Sequence, residues 1–254
     1  NGNPERLKNV VKIIESQRGT CPTGRLDASR LKIAAIIPVK GETRPFNGRT
    51  QLEYTIQAAT KSKYIDRIFV STDSEYTAKV ARQSGGETPF MRPAKLSEAH
   101  INLETVQKYS LQMIEENGYL PDLVVHMEET FPFRSAVLLD EMIQYLLHDG
   151  YDSVIAAHQE SGWLWKEALD KTFQRVDSGD VPREFKERAL VGLHGIGCVT
   201  HPEFIRCENM LGMNTGLYKV DYPLAGFEVR DDKSAHIASL VIDQFFQENP
   251  GKYN

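Results

Sequence analysis

Short apolar runs alternate with amphipathic stretches over residues 31–157. The run 33–38, Ile-Ala-Ala-Ile-Ile-Pro, is apolar throughout, which reads as a strand buried on both faces of a parallel sheet. Helical periodicity follows at 52–62, a second apolar run at 67–71, and a helix at 75–84 that stops at Gly85-Gly86. A loop with Pro89 and Pro93 leads to a long helix at 103–116, ended by Asn117-Gly118. A strand at 122–127, a helix at 136–147 closed by Asp149-Gly150, and a strand at 152–157 complete the regular part. Strands alternating with helices predict an α/β fold, a three-layer, doubly wound and mainly parallel sheet.

Beyond Gln159 the rhythm breaks. Residues 161–188 are charged and irregular and contain Trp163 and Trp165. Apolar segments return at 196–200 and 216–220, and a last helix is expected at 233–247. The stretch 160–206 therefore reads as a divergent insertion that builds an acceptor pocket or a dimer contact. Residues 1–30 read as an arm or linker, with a possible helix at 4–16 and a polar stretch at 17–29, preceding a main domain at 31–254. No internal repeat and no low-complexity tract is visible.

Composition narrows the function. The chain has 254 residues, 41% of them apolar, and a formal net charge of -5, which argues against general binding to nucleic acid or to a membrane surface. No apolar run reaches the length of a membrane span. The start, Asn1-Gly2-Asn3-Pro4, shows no charged-then-apolar leader. Cys21, Cys198 and Cys207 are odd in number and lack metal-ligand spacing, so unpaired thiols in a reducing, cytoplasmic setting are expected.

The chemistry points to the loop after the first strand. Lys40, Gly41, Arg44, Gly48 and Arg49 follow it, and ligands in open α/β sheets bind beyond the carboxyl ends of strands. Glycine permits close backbone approach, and Lys or Arg supplies charge for phosphate. This directs attention to nucleotides.

Four stretches carry a family resemblance: Ile36-Ile37-Pro38; Asn47-Gly48-Arg49-Thr50-Gln51-Leu52-Glu53; Val70-Ser71-Thr72-Asp73; and Arg92-Pro93. Together they resemble the acylneuraminate cytidylyltransferases, the CMP-sialic acid synthetases and their relatives for other nonulosonic acids. The resemblance is good over 32–157, thin over 161–206 and weak again over 218–238. It implies a nucleotide-diphospho-sugar transferase-like fold and transfer of CMP from CTP to the anomeric hydroxyl of a keto sugar acid. It also implies Mg²⁺ and a homodimer.

By that resemblance Lys40 and Arg44 hold the terminal phosphates, and Pro38, Gly41, Arg49, Ser71, Asp73 and Arg92 form the nucleotide side. Asp73 could equally cap the next helix, Arg49 could cap the helix region after it, and Arg92 could fix the proline-rich loop. Glu128, Glu228 and Asp231 are the metal candidates, with Glu129 read as a solvated loop charge. His194, Arg206 and Tyr218 are the acceptor candidates, each with core packing or plain surface exposure as the other reading. His126, inside a strand, reads as a satisfied core histidine. The departures from the family pattern are a shortened phosphate loop that carries Glu42, the pair Glu128-Glu129, and Arg230 where the family has a carboxylate.

Overall fold

The first strand sets the architecture. In the computed structural model, which describes residues 28–160, 162–177 and 189–249, β1 (Ile33–Val39) is buried at every position but Pro38. Its side chains divide by strand periodicity. Ile33, Ala35 and Ile37 enter one apolar cluster, while Ala34 and Ile36 enter another on the opposite face. The two-sided core explains why the run is apolar throughout rather than alternating. The possible helix at 4–16 and Cys21 lie outside the described residues.

A small hairpin follows, β2 (Pro45–Phe46) and β3 (Arg49–Thr50), and then α1 (Gln51–Thr60). Thr50 and Glu53 form a reciprocal capping box at the start of α1. The chain continues through β4 (Arg67–Thr72), α2 (Glu75–Gln83), α3 (Leu103–Glu116), β5 (Leu123–His126), α4 (Ala136–Asp149) and β6 (Ser153–Glu160). Each of these helices has a side-chain N-cap: Ser74 for α2, Asn102 for α3 and Ser135 for α4. Gly150 ends α4 at φ +71°, a left-handed position that glycine adopts without strain.

After β6 come β7 (Trp165–Glu167) and β8 (Phe173–Arg175), an exposed hairpin. Then follow β9 (Ala189–Gly192), β10 (Cys198–Thr200), α5 (Pro202–Arg206), β11 (Thr215–Lys219) and α6 (Asp232–Glu248). The main sheet runs β11-β6-β10-β5-β1-β4, with β9 paired to β6 at its outer end. Pairs β1–β4, β1–β5 and β6–β11 are parallel; β10 is antiparallel to both β5 and β6. Helices α1 and α4 cover one face, and α3 and α5 pack on the other, where Leu111, Ile114 and Ile205 join the second cluster. The three-layer, mainly parallel architecture expected from the sequence is what the structure shows.

Much of the supposed insertion belongs to the sheet. Strands β9 and β10 are integral to it, and among the described residues of that stretch the separate hairpin β7–β8 lies within 162–177. Three- and four-residue strands carry too little periodicity to be read in advance.

Strand order reverses at β1, because the chain moves from β1 to β4 on one side and then reaches β5 on the other. The β1–β5 register covers only Ile33 to Ile36, while β1 continues beside β4 as far as Val39. The two strands therefore separate at their carboxyl ends, and Pro38, which has no N–H to offer, sits just past the last β5 pair.

Leu111 is fully buried between α3 and the sheet. Leu111→Ala is expected to lower unfolding stability by about 2–5 kcal/mol, read as a lower urea midpoint with unchanged slope. A loss below about 1 kcal/mol would show that this face is not close-packed.

Candidate active site

The opening between the ends of β1 and β5 is a crevice of about 450 Å³, lined among others by Pro38, Lys40, Arg92, Glu128, His194 and Arg230. This is the switch point of the sheet, where ligands of open α/β folds bind.

Glu128 follows β5 and is held from two directions. Its N–H donates to Gly195 O at 2.8 Å, and its own carbonyl accepts from Arg134 Nη2 at 2.6 Å. Arg134 is 2% exposed. It also donates to Gly195 O (2.7 Å), to Thr55 Oγ1 (3.2 Å) and, through Nε, to Ile196 O. One buried guanidinium thus ties the end of β5 to the turn that carries His194. Burial pulls its pKa down to about 9, which leaves it charged at neutral pH. Gly195 has no room for a side chain: a Cβ there would lie 2.5 Å from the Phe131 ring and 3.0 Å from the Glu128 carboxyl.

Glu128 Oε1 faces two imidazoles. His194 Nε2 is 3.3 Å away and His126 Nε2 is 3.9 Å away. The rings stack with centroids 6.0 Å apart. Glu128 Oε2 instead faces Arg230 Nη2 at 3.8 Å, and Arg230 also pairs with Glu228 at 2.6 Å. Burial alone would raise the Glu128 pKa, but the two imidazoles outweigh it and hold the carboxyl well below the usual range. The hydrogen bond to Glu128 raises His194, whereas burial lowers His126.

His126 corrects the sequence reading. It is fully buried, yet it is not satisfied: Nδ1 meets Gln107 Nε2 at 2.6 Å, and Nε2 has no hydrogen-bond partner. Donor atoms of His126, Glu128 and His194 all lie within 4.8 Å of one another, a cluster able to hold a metal ion. The usable signal was the spacing of His126 and Glu128, two residues apart at a strand end and so on one side.

The opposite wall is the loop after β1. Gly41, at φ +67°, donates its N–H to Asp73 Oδ1 (2.8 Å) and accepts from Thr77 Oγ1 (2.8 Å). Thr43 N–H donates to Thr77 Oγ1 (2.9 Å), and Thr43 Oγ1 donates to Glu129 Oε2 (2.5 Å). Glu129 is therefore not a solvated loop charge. Burial pushes its pKa up to about 6 despite that hydrogen bond.

Arg92 is 5% exposed. It donates to Ser97 Oγ (3.0 Å), Ser71 O (3.1 Å) and Val39 O (2.9 Å), with Asp73 Oδ1 3.7 Å away. It braces the ends of β1 and β4, which matches the loop-fixing alternative. Ser71 accepts from Ser110 behind the wall, and the helix cap next to Asp73 is Ser74 rather than Asp73.

Five of the candidate residues, Pro38, Lys40, Arg92, Glu128 and His194, thus line one crevice. Others do not reach it. Arg44 is exposed and lies 3.9 Å from Asp232. Arg49 donates to Gln57 and covers the Tyr54 ring, and Thr50 makes the helix cap. Asp231 is the N-cap of α6, with its carboxylate on Ser234. Arg206 pairs with Glu115 near the last turn of α3, while the first turn of that helix faces the crevice. Tyr218 donates to Glu141 and packs on Tyr145. Glu228 accepts from Thr130 and is neutralised by Arg230.

A family model described as Cytidylyltransferase matches residues 38–179, more than half of the chain. Among individual proteins, an N-acylneuraminate cytidylyltransferase A of Danio rerio is 28% identical over 52% of this chain and 29% of its own length. A post-translational flagellin modification protein B of Campylobacter coli is 24% identical over 79% of this chain and 87% of its own. The chain thus spans less than a third of the first relative and most of the second. Among solved structures, a 4-diphosphocytidyl-2C-methyl-D-erythritol synthase of Anaerococcus prevotii superposes with a TM-score of 0.64 at 14% identity, covering 84% of this chain and 96% of that one.

Gly195→Ala is expected to force Phe131 and Glu128 apart and to cost about 1–3 kcal/mol. Arg134→Met should cost at least about 3 kcal/mol, because buried carbonyls lose a charged donor. Guanidinium denaturation measures both. A near-neutral Arg134→Met would mean that the clamp does not organise the site.

Proposed function

The chain belongs to the cytidylyltransferase family, and from that premise we propose that it transfers a cytidylyl group from CTP to a hydroxyl of a sugar-like acceptor, releasing pyrophosphate. The observation that carries this reading is the crevice at the switch point, where the exposed cations Lys40 and Arg230 line the walls. Exposed cationic side chains at a switch-point crevice suit a polyphosphate.

In this reaction the acceptor oxygen attacks the α-phosphorus in line, and the bond to the β-phosphate oxygen breaks. Such a step is helped chiefly by positioning and by neutralising charge on the departing pyrophosphate. Lys40 is exposed at the lip of the crevice and is free of the loop's internal hydrogen bonds, so it is assigned to the departing phosphates. Arg230 is placed to meet charge from the other wall. Arg92 acts indirectly, by holding the ends of β1 and β4 so that the pocket keeps its width.

The magnesium that the family resemblance implies does not fit the donors found here. Mg²⁺ takes oxygen ligands in near-octahedral geometry. The converging atoms are two imidazole nitrogens and one carboxylate, and the neighbouring Glu228 is engaged by Arg230. No step is routed through magnesium.

A second crevice of about 490 Å³ is lined by His158, Gln159, Leu193, Lys219, Asp221, Tyr222 and Phe227. It adjoins the first across the 193–194 turn and the 226–230 segment, and we assign the acceptor to it. Lys219 and His158 beside the Tyr222 and Phe227 rings favour an acidic sugar, a reading in line with the acylneuraminate relative. The erythritol-type structural relative keeps a polyol acceptor open. The β7–β8 hairpin leaves Trp163, Trp165 and Phe173 more than half exposed, and we assign that apolar surface to contact with a second copy of the chain.

CTP should raise the melting temperature more than ATP or GTP does, since a ligand of the folded state stabilises it. Pyrophosphate release should appear with one class in a panel of sugar acids and polyol phosphates. Lys40→Ala should reduce it roughly tenfold or more, about 1.4 kcal/mol of lost barrier lowering, without changing the melting temperature. No nucleotide-dependent shift and no turnover with any acceptor would leave a non-catalytic member of the fold.

A further inference from the structure

We propose that His126, Glu128 and His194 form a binding site for one divalent transition-metal ion of the zinc class, independent of nucleotide. The inference goes beyond the proposed reaction, because it concerns the protein alone.

The geometry suits such an ion. A tetrahedral zinc with ligands near 2 Å separates neighbouring donor atoms by about 3.3 Å. His194 Nε2 is 3.3 Å from Glu128 Oε1, His126 Nε2 is 3.9 Å from the same oxygen, and all three donors fall within 4.8 Å of one another. His194 is 55% exposed at its side chain, so its ring has the freedom to close the remaining distance. Three protein ligands with an open fourth position form the arrangement of zinc sites that exchange a ligand. Two imidazoles select zinc, cobalt or nickel over magnesium.

The hydrogen bonding around the cluster supplies the second, independent observation. Among the described residues, two buried side-chain polar atoms lack partners, His126 Nε2 and Gln107 Oε1. Both belong to the pair joined at His126 Nδ1. Turning the Gln107 amide over places Oε1 where it accepts a proton from Nδ1. That change satisfies Oε1, leaves the Gln107 amide nitrogen as the atom without a protein partner, and leaves a lone pair on His126 Nε2, which lies 3.9 Å from Glu128 Oε1. It is the tautomer a metal-bound imidazole needs, fixed by an outer hydrogen bond. Gln107 is thus a positioning residue. The carboxylate is divided in the same sense: Oε2 faces Arg230, and Oε1 is left to the imidazoles.

The test uses the full chain, stripped with a chelator and dialysed separately against Zn²⁺, Co²⁺ and Mg²⁺ without nucleotide. One Zn²⁺ per chain is expected, with a visible tetrahedral absorption for Co²⁺ and no retention of Mg²⁺. His194→Ala and Glu128→Gln should each abolish stoichiometric zinc while the stripped proteins still unfold in one cooperative transition. Gln107→Ala should weaken zinc by roughly 10- to 100-fold. Absence of stoichiometric zinc would overturn the proposal. So would equal zinc retention in His194→Ala and Glu128→Gln, or retention of Mg²⁺ as tight as that of Zn²⁺. Zinc binding without CTP turnover would leave the metal site standing while the transferase reading fails; turnover without zinc binding would do the reverse.

Discussion

The crevice depends on one buried cation. Arg134 lies beneath the floor and donates to the carbonyls of Glu128, Gly195 and Ile196. The Glu128 N–H to Gly195 carbonyl bond is its companion. Hydrogen bonds from a charged donor are stronger than neutral ones, and more so away from water. The same guanidinium reaches Thr55 on α1, so the position of the His194 turn is referenced to a helix on the core face. The absence of a Cβ at Gly195 lets the turn come close enough for these bonds to form.

The second wall uses a second buried arginine in the same way. Arg92 binds the main-chain carbonyls of Val39 and Ser71, the last turns of two parallel strands. Asp73, beside it, holds Gly41. Burial tends to raise the Asp73 pKa, but the Gly41 amide and the hydrogen bonds around it reverse the effect and leave it below the ordinary carboxylate value. A residue of the kind that sequence reading assigns to ligand contact has here a structural role, with three of its donors on protein acceptors. The cations left to meet a ligand are the exposed ones, Lys40 and Arg230.

Much of the fold was legible and rather less of the site. The helix at 103–116 was bounded by residue type alone: Asn102 as cap and Asn117-Gly118 as stop. The β1 run was legible because burial on both faces demands an unbroken apolar string. Strands β9 and β10 were not, since their pairing with β6 and β5 is decided by tertiary contacts. In the site, Lys40 and Glu128 were singled out from strand-end position and resemblance, and His194 only as an acceptor candidate; the structure brings the three to one crevice. Arg134 was missed because its role exists only once β5 and the 195 turn meet. His126 was misread because burial implied satisfaction, whereas its Nε2 is buried and unpartnered. Arg206 and Tyr218 lie off the crevice, on Glu115 and Glu141, partners distant in sequence and invisible to spacing.

The charge pattern of the crevice follows from how its loop is built. A phosphate-binding loop ordinarily works through open main-chain amides. Here the Gly41 amide is taken by Asp73 and the Thr43 amide by Thr77. These two amides are therefore tied to the β4–α2 segment rather than open toward a ligand. Phosphate binding must rest more heavily on side-chain charge, and screened charges weaken with salt more than directed amide bonds do. Arg230 fits that scheme. In place of a carboxylate it brings a cation that neutralises Glu228 and caps one oxygen of Glu128. The substitution that removes an oxygen ligand for a hard cation is the same one that adds a counter-charge for a polyanion. With the other Glu128 oxygen turned toward two imidazoles, the acidic end of the crevice is a nitrogen-rich donor set, and its chemistry has to be argued on those terms.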